Sequence, residues 1–242
     1  MATKTESATP HEINLAQEQA KWAQQQHESE LLLIKQRSTF LQLESMLKSA
    51  VKNNNVSDNA ELYLKLIESL KDYPLKMDAM TAYFDARIKS VNQTTPPEEV
   101  NALKQEIEQA ITQNPTHFFR TRWEQSLFTL FQNANDLEGF VHYAQRVKPS
   151  SLEMQIAVLN AELQLEGTEN TTDKKQDSNA NTHIISRYEQ LWLTNSKLPN
   201  DAQLWAAWYA HGGRTAAKVY QKAETLFAKN DENGLAQLAT EL

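Results

Sequence analysis

The sequence predicts an all-α fold, an irregular superhelical α-solenoid of about ten helices. Leu, Ala, Gln, Glu and Lys dominate the composition and favour helices, whereas the 242 residues include only 5 glycines. Apolar residues recur at three- and four-residue steps, and no segment shows the alternation that is typical of a strand. Because no strict repeat period is visible, an irregular array is favoured over tetratricopeptide repeats.

The first third of the chain is expected to hold a disordered start and three helices. Residues 1–10 predict disorder, and residues 11–242 predict one superhelical domain. A Gln-rich helix runs from about His11 to Asn53, a second begins near Asp58, and a third follows Tyr73-Pro74. The apolar residues expected on these helices are Leu31–Ile34, Phe40, Leu43 and Leu47, then Leu62, Leu66 and Leu70, then Met77, Met80, Phe84, Ile88 and Val91.

Four helices are predicted between Thr95 and Gly167. Thr95-Pro96 begins the first and Asn114-Pro115 the second, because proline suits the first helical position. Asn135 and Ser150 are the expected N-caps of the other two, since each has a glutamate three residues later. The apolar faces are Leu103, Ile107 and Ile111; Phe119, Trp123, Leu127 and Phe131; Leu137, Val141 and Ala144; and Leu152, Ile156, Leu159 and Leu163.

A polar segment, residues 168–182, precedes a helical hairpin and predicts a flexible insertion. Pro199 separates the two helices of the hairpin, Asn200 is the expected cap of the second, and Gly212-Gly213 its expected end. The apolar faces of the hairpin are Tyr188, Leu191 and Trp192, then Leu204, Trp205, Trp208 and Tyr209. The last two helices carry Ala216, Val219, Tyr220, Ala223 and Phe227, then Leu235 and Leu238.

The composition excludes several classes of function. With 24 basic and 31 acidic residues the net charge is −7, which disfavours binding to nucleic acid. There is no cysteine for a thiol nucleophile, the six histidines lack the spacing of metal sites, and no glycine-rich phosphate loop is present. The first 30 residues are polar, so neither a signal peptide nor a membrane span is predicted. We therefore expect no catalytic residue, no cofactor and no metal.

The tryptophans raise the possibility of sugar-stacking platforms. Trp123, Trp192, Trp205 and Trp208 follow the helical period, however, and this favours burial between helices, whereas Trp22 has polar neighbours and is expected to be exposed. Arg120 and Arg122 flank the Trp123 face and are expected to pair with nearby carboxylates rather than to point into a groove.

Three short motifs follow one another along the chain in a characteristic order. Tyr73-Pro74 joins two helices, Arg122-Trp123 lies in a later helix, and Leu191-Trp192-Leu193 precedes Pro199 and a helix that contains Trp205. In their residues and in their order along the chain, these motifs resemble the N-terminal superhelical domain of soluble lytic murein transglycosylases. The resemblance covers residues 37–242 and is strongest over residues 188–212.

The resemblance implies a U-shaped or partially closed ring of helices that scaffolds the enzyme and positions murein glycan. The parent enzyme would be periplasmic, would cleave peptidoglycan between N-acetylmuramic acid and N-acetylglucosamine to a 1,6-anhydro product, and would add linker and catalytic domains. Glu44-Ser45 and Glu68-Ser69 share a dipeptide with the family's catalytic glutamate but lack its glycine-rich context, so we interpret both as chance. This chain alone is expected to be inactive.

A second function remains open at this point. A cytosolic helical-repeat adaptor could bind a protein partner in a concave groove, and the absence of a predicted signal peptide favours this alternative.

Overall fold

The computed structural model describes residues 10–53, 55–169 and 178–240. These residues form eleven α-helices and one 3-10 turn, and no strand occurs among them, which confirms the all-α class and the serial helices of a solenoid. Contacts divide the chain into two compact units, Met1–Ser90 and Val91–Leu242. The U-shaped or ring-like curvature and the single domain over residues 11–242 stay predictions. Residues 1–9 of the segment predicted to be disordered lie outside the described residues.

The first unit contains a 44-residue helix and two shorter ones. Helix α1 spans Pro10–Asn53, the 3-10 turn Ser57–Asn59, α2 Ala60–Ser69 and α3 Lys76–Ser90. The C-terminal part of α1 packs against α2 and α3 through buried Leu43 and Leu47. Every described side chain of α1 before Gln36 is exposed, so only the second half of this helix contributes to the core of the unit.

A buried pair of polar side chains in α3 was not predicted. Tyr83 and Arg87 are 0 % and 5 % exposed, and the Arg87 guanidinium donates a hydrogen bond from Nη1 to the Tyr83 hydroxyl over 2.8 Å. The predicted apolar face of this helix is nevertheless present, since Phe84, Ile88 and Val91 are buried.

The second unit is a series of helices in which most helices pack against the next. Its members are α4 Pro97–Gln113, α5 Arg120–Ala134, α6 Leu137–Ala144, α7 Leu152–Glu169, α8 Ser178–Thr194, α9 Ala202–Ala210, α10 Ala216–Ala228 and α11 Glu232–Thr240. Helix α9 also contacts α7, and α10 packs against both α8 and α11. Consecutive contacts of this kind are characteristic of a solenoid.

Three predicted N-caps are wrong by one residue. The sequence indicated Asn135, Ser150 and Asn200, whereas the side chains that accept backbone N–H bonds at these helix starts belong to Asp136, Ser151 and Asp201. At the first of these starts the cause is visible in the backbone. Asn135 has a φ of 56°, and this left-handed conformation ends α5 rather than starting α6.

Helices α7 and α8 extend into the two ends of the predicted polar insertion, residues 168–182. Helix α7 continues to Glu169 and α8 begins at Ser178, so the helices include residues 168–169 and 178–182 of the predicted insertion. Residues 170–177 lie outside the described residues, and the predicted flexibility of the segment stays a prediction.

The phenol of Tyr143 in α6 has a raised pKa, and this links the stability of the second unit to alkaline pH. Burial, together with the carboxylates of Glu124 and Glu108, raises the pKa of the Tyr143 phenol above its ordinary value of 10.0. A raised folded-state pKa stabilises the fold fully below the unfolded value, and that contribution is lost as pH rises through the folded value.

We therefore expect the free energy of unfolding to fall as pH rises above about 10, and Tyr143→Phe to reduce that fall. Urea unfolding followed by circular dichroism between pH 8 and pH 11 measures both quantities. The matched control is Tyr220→Phe, because the Tyr220 side chain is 67 % exposed. If both variants keep the wild-type pH dependence, Tyr143 is not its source.

Candidate functional site

The aromatic hairpin formed by α8 and α9 is the centre of the candidate site. Trp208 is 0 % exposed, and its ring centroid lies 4.8 Å from that of Trp192, 5.1 Å from that of Trp205 and 6.0 Å from that of Tyr188. These rings are tilted or edge-to-face to one another, and such arrangements are favourable for aromatic pairs. The prediction that Trp192 and Trp208 are buried between helices is thus confirmed.

The chain leaves this hairpin through a glycine pair that matches the expected helix end. Gly212 has a φ of 73°, its N–H donates to the Tyr209 carbonyl over 3.1 Å, and the Gly213 N–H donates to the Trp208 carbonyl over 2.9 Å. This is the hydrogen-bond pattern of a Schellman motif, in which a left-handed residue favours glycine.

Glu189 connects the hairpin to α10. Its Oε2 accepts a hydrogen bond from the Trp208 indole N–H over 2.9 Å and forms an ion pair with the Lys218 ammonium. The buried indole therefore has a partner for its polar atom, as buried tryptophans usually do.

Two aromatic side chains depart from the predicted core. Trp205 is only partly buried, and Tyr209 is 62 % exposed, so the prediction that Tyr209 belongs to the buried face of α9 is wrong. The short helix has room for one buried stripe, and Leu204 and Trp208 occupy it.

The buried face of α10 agrees with the prediction only in part, since Val219 and Ala223 pack against the core. Tyr220 and Phe227, which were expected on that face, are 67 % and 75 % exposed, whereas Lys222 and Leu226 are buried. The Lys222 ammonium nitrogen lies 4.2 Å from the centroid of the Trp192 ring, at a distance suited to a cation–π interaction. The long aliphatic part of a lysine can be buried in this way while its charge faces a polar opening.

A cavity opens beside these rings, and we call it the aromatic pocket. Its volume is about 320 Å³, and it is lined by Tyr188, Trp192, Ser196, Lys197, Leu198, Pro199, Asn200, Asp201, Trp205, Lys222 and Gln237. Buried Tyr188, Trp192 and Lys222 line its inner part, while the outer part includes exposed Lys197 and Asn200. A concave site with aromatic walls and a few polar groups is the usual form of a small-ligand site.

The loop between α8 and α9, which lines one side of this pocket, is fixed at both ends. The Asp201 carboxylate accepts a hydrogen bond from the Asn160 side chain of α7 over 2.5 Å. The Ser196 hydroxyl donates to Asp231, and this bond together with the Gly234 N–H lowers the pKa of the Asp231 carboxyl. The pocket is therefore bounded by a loop that is held in place before any ligand binds.

The predicted signature residues fall into separate places. Leu191, Trp192, Leu193, Pro199 and Trp205 come together around the hairpin and its loop. Arg122 and Trp123 lie in α5, where Trp123 is 1 % exposed and Arg122 is exposed. Tyr73 and Pro74 lie in the first unit, where Tyr73 contacts the Phe40 ring at 6.0 Å between centroids. Their role as markers of a family stays a prediction.

Two of the charged residues that the sequence singled out, Arg120 and Glu44, have local partners. Arg120 donates from Nε to Glu124 over 2.9 Å and from Nη1 to the Pro115 carbonyl over 3.0 Å, which confirms the expected local pairing for this residue. Glu44 pairs with Lys48 one helical turn away over 2.9 Å. Glu68 of the second Glu-Ser dipeptide is exposed at the end of α2.

Within the described residues, no cluster of three or more histidine, cysteine or acidic side chains could hold a metal ion. None of the described helices is both long enough and apolar enough to cross a membrane. The sequence did not reveal that Lys222 lines the aromatic pocket.

Comparison with known proteins gives one informative similarity. No family model matches the chain, and no solved structure matches it. The chain is 43 % identical over 77 residues to a protein of Haemophilus influenzae described as "Putative soluble lytic murein transglycosylase". The match covers 31 % of this chain and only 13 % of the relative's length. The similarity supports a relationship to the soluble lytic murein transglycosylases.

Proposed function

We propose that this chain is a non-catalytic superhelical portion of a soluble lytic murein transglycosylase, and that it scaffolds the enzyme and positions murein glycan in the periplasm. The observation that carries the proposal is the 43 % identity to the Haemophilus influenzae protein. Peptidoglycan strands and the linker and catalytic domains of the parent enzyme are the proposed partners. The activity of the parent, cleavage to a 1,6-anhydro product, belongs to the same proposal.

Two structural features support a binding role. The second unit is a series of packed helices, and such arrays present extended surfaces that suit long, repetitive ligands. The aromatic pocket adds indole and phenol rings beside amide and ammonium groups, a combination that suits sugars because their apolar faces pack on rings and their hydroxyls need hydrogen-bond partners.

The proposal predicts that the purified chain co-sediments with insoluble murein sacculi. Chitin particles serve as the control polymer, because they contain N-acetylglucosamine but no muramic acid. We expect clear enrichment of the chain in the sacculus pellet over the chitin pellet. Equal sedimentation with both polymers would contradict positioning of murein glycan. Release of anhydromuropeptides from the sacculi by the chain alone would contradict the non-catalytic part of the proposal.

One observation favours the alternative of a protein-binding adaptor. Leu31, Leu32, Leu33 and Ile34 are 46 to 66 % exposed on α1, and clustered apolar side chains at a surface often mark an interaction site. An adaptor function predicts no sedimentation with sacculi beyond the chitin control. In a Leu33→Glu, Ile34→Glu double variant, murein binding through the second unit should be unchanged.

A further inference from the structure

A second cavity of the second unit lies between α7, α8 and the connection that joins α6 to α7, and we call it the α7–α8 pocket. Its volume is about 410 Å³, which lies within the range of small-ligand cavities. The floor is apolar and consists of Ala144, Pro149, Val158, Leu159 and Leu191. Ala144 and Leu191 are partly exposed, so these two side chains offer an apolar contact surface to a ligand.

The rim of this pocket carries four polar side chains that have no partner in the part of the chain that the structure describes. Lys148 precedes α7, while His183, Ser186 and Gln190 follow one another at three- and four-residue steps on α8. All four side chains are exposed. Because this spacing places the three α8 side chains on one face of the helix, they form one wall of donors and acceptors in the cavity that Lys148 also lines.

The lining contains a cation without a compensating carboxylate. No acidic residue occurs among the described residues that line the α7–α8 pocket. Arg187 also lines it, but its Nη1 donates to both carboxylate oxygens of Glu162, over 2.9 and 2.6 Å, so the charge of this arginine is neutralised. The Lys148 ammonium has no such ion pair among the described residues, and its charge is therefore left for an anionic ligand.

The backbone that carries Lys148 is held in place by side chains of the neighbouring helices. Gln125 of α5 donates from Nε2 to the Lys148 carbonyl over 3.2 Å and accepts the Ser150 N–H over 2.9 Å. Gln155 of α7 donates to the Pro149 carbonyl over 3.3 Å. These three bonds order one wall of the pocket before a ligand arrives, and such preorganisation lowers the entropy cost of binding.

We infer that the α7–α8 pocket binds a monocarboxylate that carries an apolar group. The Lys148 ammonium attracts the carboxylate, the polar wall of α8 donates hydrogen bonds to its oxygens, and the apolar group packs on Ala144 and Leu191. A single free lysine beside neutral donors suits one negative charge, whereas doubly charged phosphate groups are more often held by arginine forks or helix N-termini. Such a ligand is not a glycan, so this assignment does not depend on the proposed function.

The first test compares three soluble probes that separate the charge from the apolar group. We titrate 3-phenylpropionate, its neutral amide 3-phenylpropanamide, and acetate into the full chain, and follow the backbone N–H signals by NMR. We expect 3-phenylpropionate to bind at least about tenfold more tightly than the amide, since a hydrogen bond to a charged group contributes that much or more. It should exceed acetate by a similar factor, because acetate lacks the apolar group.

The signals that shift should include residues 183–191 of α8. Equal affinity for the acid and the amide, equal affinity for 3-phenylpropionate and acetate, or shifts confined to residues outside the pocket would overturn the inference.

The second test changes the charge of the rim. We expect Lys148→Met to weaken binding of 3-phenylpropionate by at least about tenfold, since it removes the ammonium, and Gln190→Glu to do the same, since it adds a carboxylate of nearly the same shape. Both side chains are exposed, so neither change disturbs the core. The affinity for 3-phenylpropanamide should stay at the wild-type level in both variants.

Lys197→Met is the matched control, because it removes the same charge from an exposed lysine that does not line this pocket. Wild-type affinity for 3-phenylpropionate in either rim variant, or a loss of the same size in the control, would contradict the assignment. An equal loss for the acid and the amide would also contradict it, since the carboxylate would then not be the group that Lys148 recognises.

A pair of peptides separates the two sources of this chemistry, a free small acid and the C-terminal residue of a protein. The peptide Gly-Ser-Gly-Phe is titrated with a free C-terminal carboxylate and with a C-terminal amide. Tighter binding of the acid peptide than of 3-phenylpropionate would identify a protein C terminus as the ligand, and weaker binding would identify a free small acid. Failure of both acids to bind would overturn the inference.

Discussion

Replacement of Trp208 by alanine should lower the free energy of unfolding by about 3 to 5 kcal/mol, the usual cost of emptying an aromatic core position. The side chain is 0 % exposed and contacts the rings of Tyr188, Trp192 and Trp205. Alanine would leave a cavity among these rings and would remove the indole N–H that donates to Glu189. Because Glu189 keeps its ion pair with Lys218, most of the loss should come from packing.

Urea unfolding followed by circular dichroism at 222 nm measures this loss without relying on tryptophan fluorescence. Trp22→Ala is the matched control, since that indole is 64 % exposed on α1. Its effect should stay within about 0.5 kcal/mol, as is usual for surface substitutions. A Trp208→Ala variant as stable as Trp22→Ala would show that the ring cluster is not the core of the second unit.

Gly213→Ala should be strongly destabilising although it adds one methyl group. A Cβ at this position would lie 2.3 Å from the Cδ2 and Cε2 atoms of the Trp208 indole, far closer than atoms in contact normally approach. The backbone there is fixed, because the Gly213 N–H donates to the Trp208 carbonyl and Gly212 holds the left-handed turn. Overpacking of this kind usually costs about 1 to 3 kcal/mol, and we expect the upper end of that range.

Gly167→Ala is the control for this substitution. Gly167 lies in α7, and a Cβ there would meet no atom within 4 Å. Since alanine favours a helix over glycine by up to about 1 kcal/mol, this variant should be as stable as the wild type or slightly more stable. Thermal unfolding of both variants side by side checks the pair. A Gly213→Ala variant with the stability of Gly167→Ala would mean that the close contact with Trp208 does not exist.

The order of the helices and most of their approximate limits could be predicted because they depend on local chemistry. The predicted start at Asn114-Pro115 is wrong, however, since α5 begins at Arg120. Apolar spacing identified the α5 residues Trp123, Leu127 and Phe131, all of which are buried, and Gly212 marked the end of α9. Caps were less certain because asparagine, serine and aspartate are all good N-caps. In Asn200-Asp201 two such residues are adjacent, and only the folded backbone decides that Asp201 accepts the N–H groups of the helix.

The buried face of α10 could not be predicted from periodicity alone. Two stripes compete on this helix, one with large Tyr220 and Phe227 and one with Lys222 and Leu226. A hydrophobicity argument favours the first. The structure buries the second because a long lysine stem can pack beside the Trp192 ring and place its ammonium over the indole. The burial of Lys222 depends on Trp192, which lies 30 positions earlier in the chain. A pattern within α10 alone therefore cannot predict it.

For the same reason the aromatic pocket was not predicted. Its lining comes from α8, the loop before α9, α9 itself, α10 and α11, so that residues as far apart in sequence as Tyr188 and Gln237 meet. The tryptophans were assigned to the core, and this is right for Trp192 and Trp208. The same rings can also line a cavity, and the spacing of residues in one helix does not reveal this.

The anchored loop between α8 and α9 has a consequence for how the second unit unfolds. In an ideal solenoid each helix contacts only its neighbours, so the ends can fray one helix at a time. Here Asp201 is bonded to Asn160 of α7, Ser196 is bonded to Asp231 before α11, and the Lys229 ammonium donates to the Thr194 carbonyl. One short connection thereby joins segments from α7 to α11. We therefore expect the last five helices to unfold as one unit, and loss of the terminal helix to weaken the loop and α9 together.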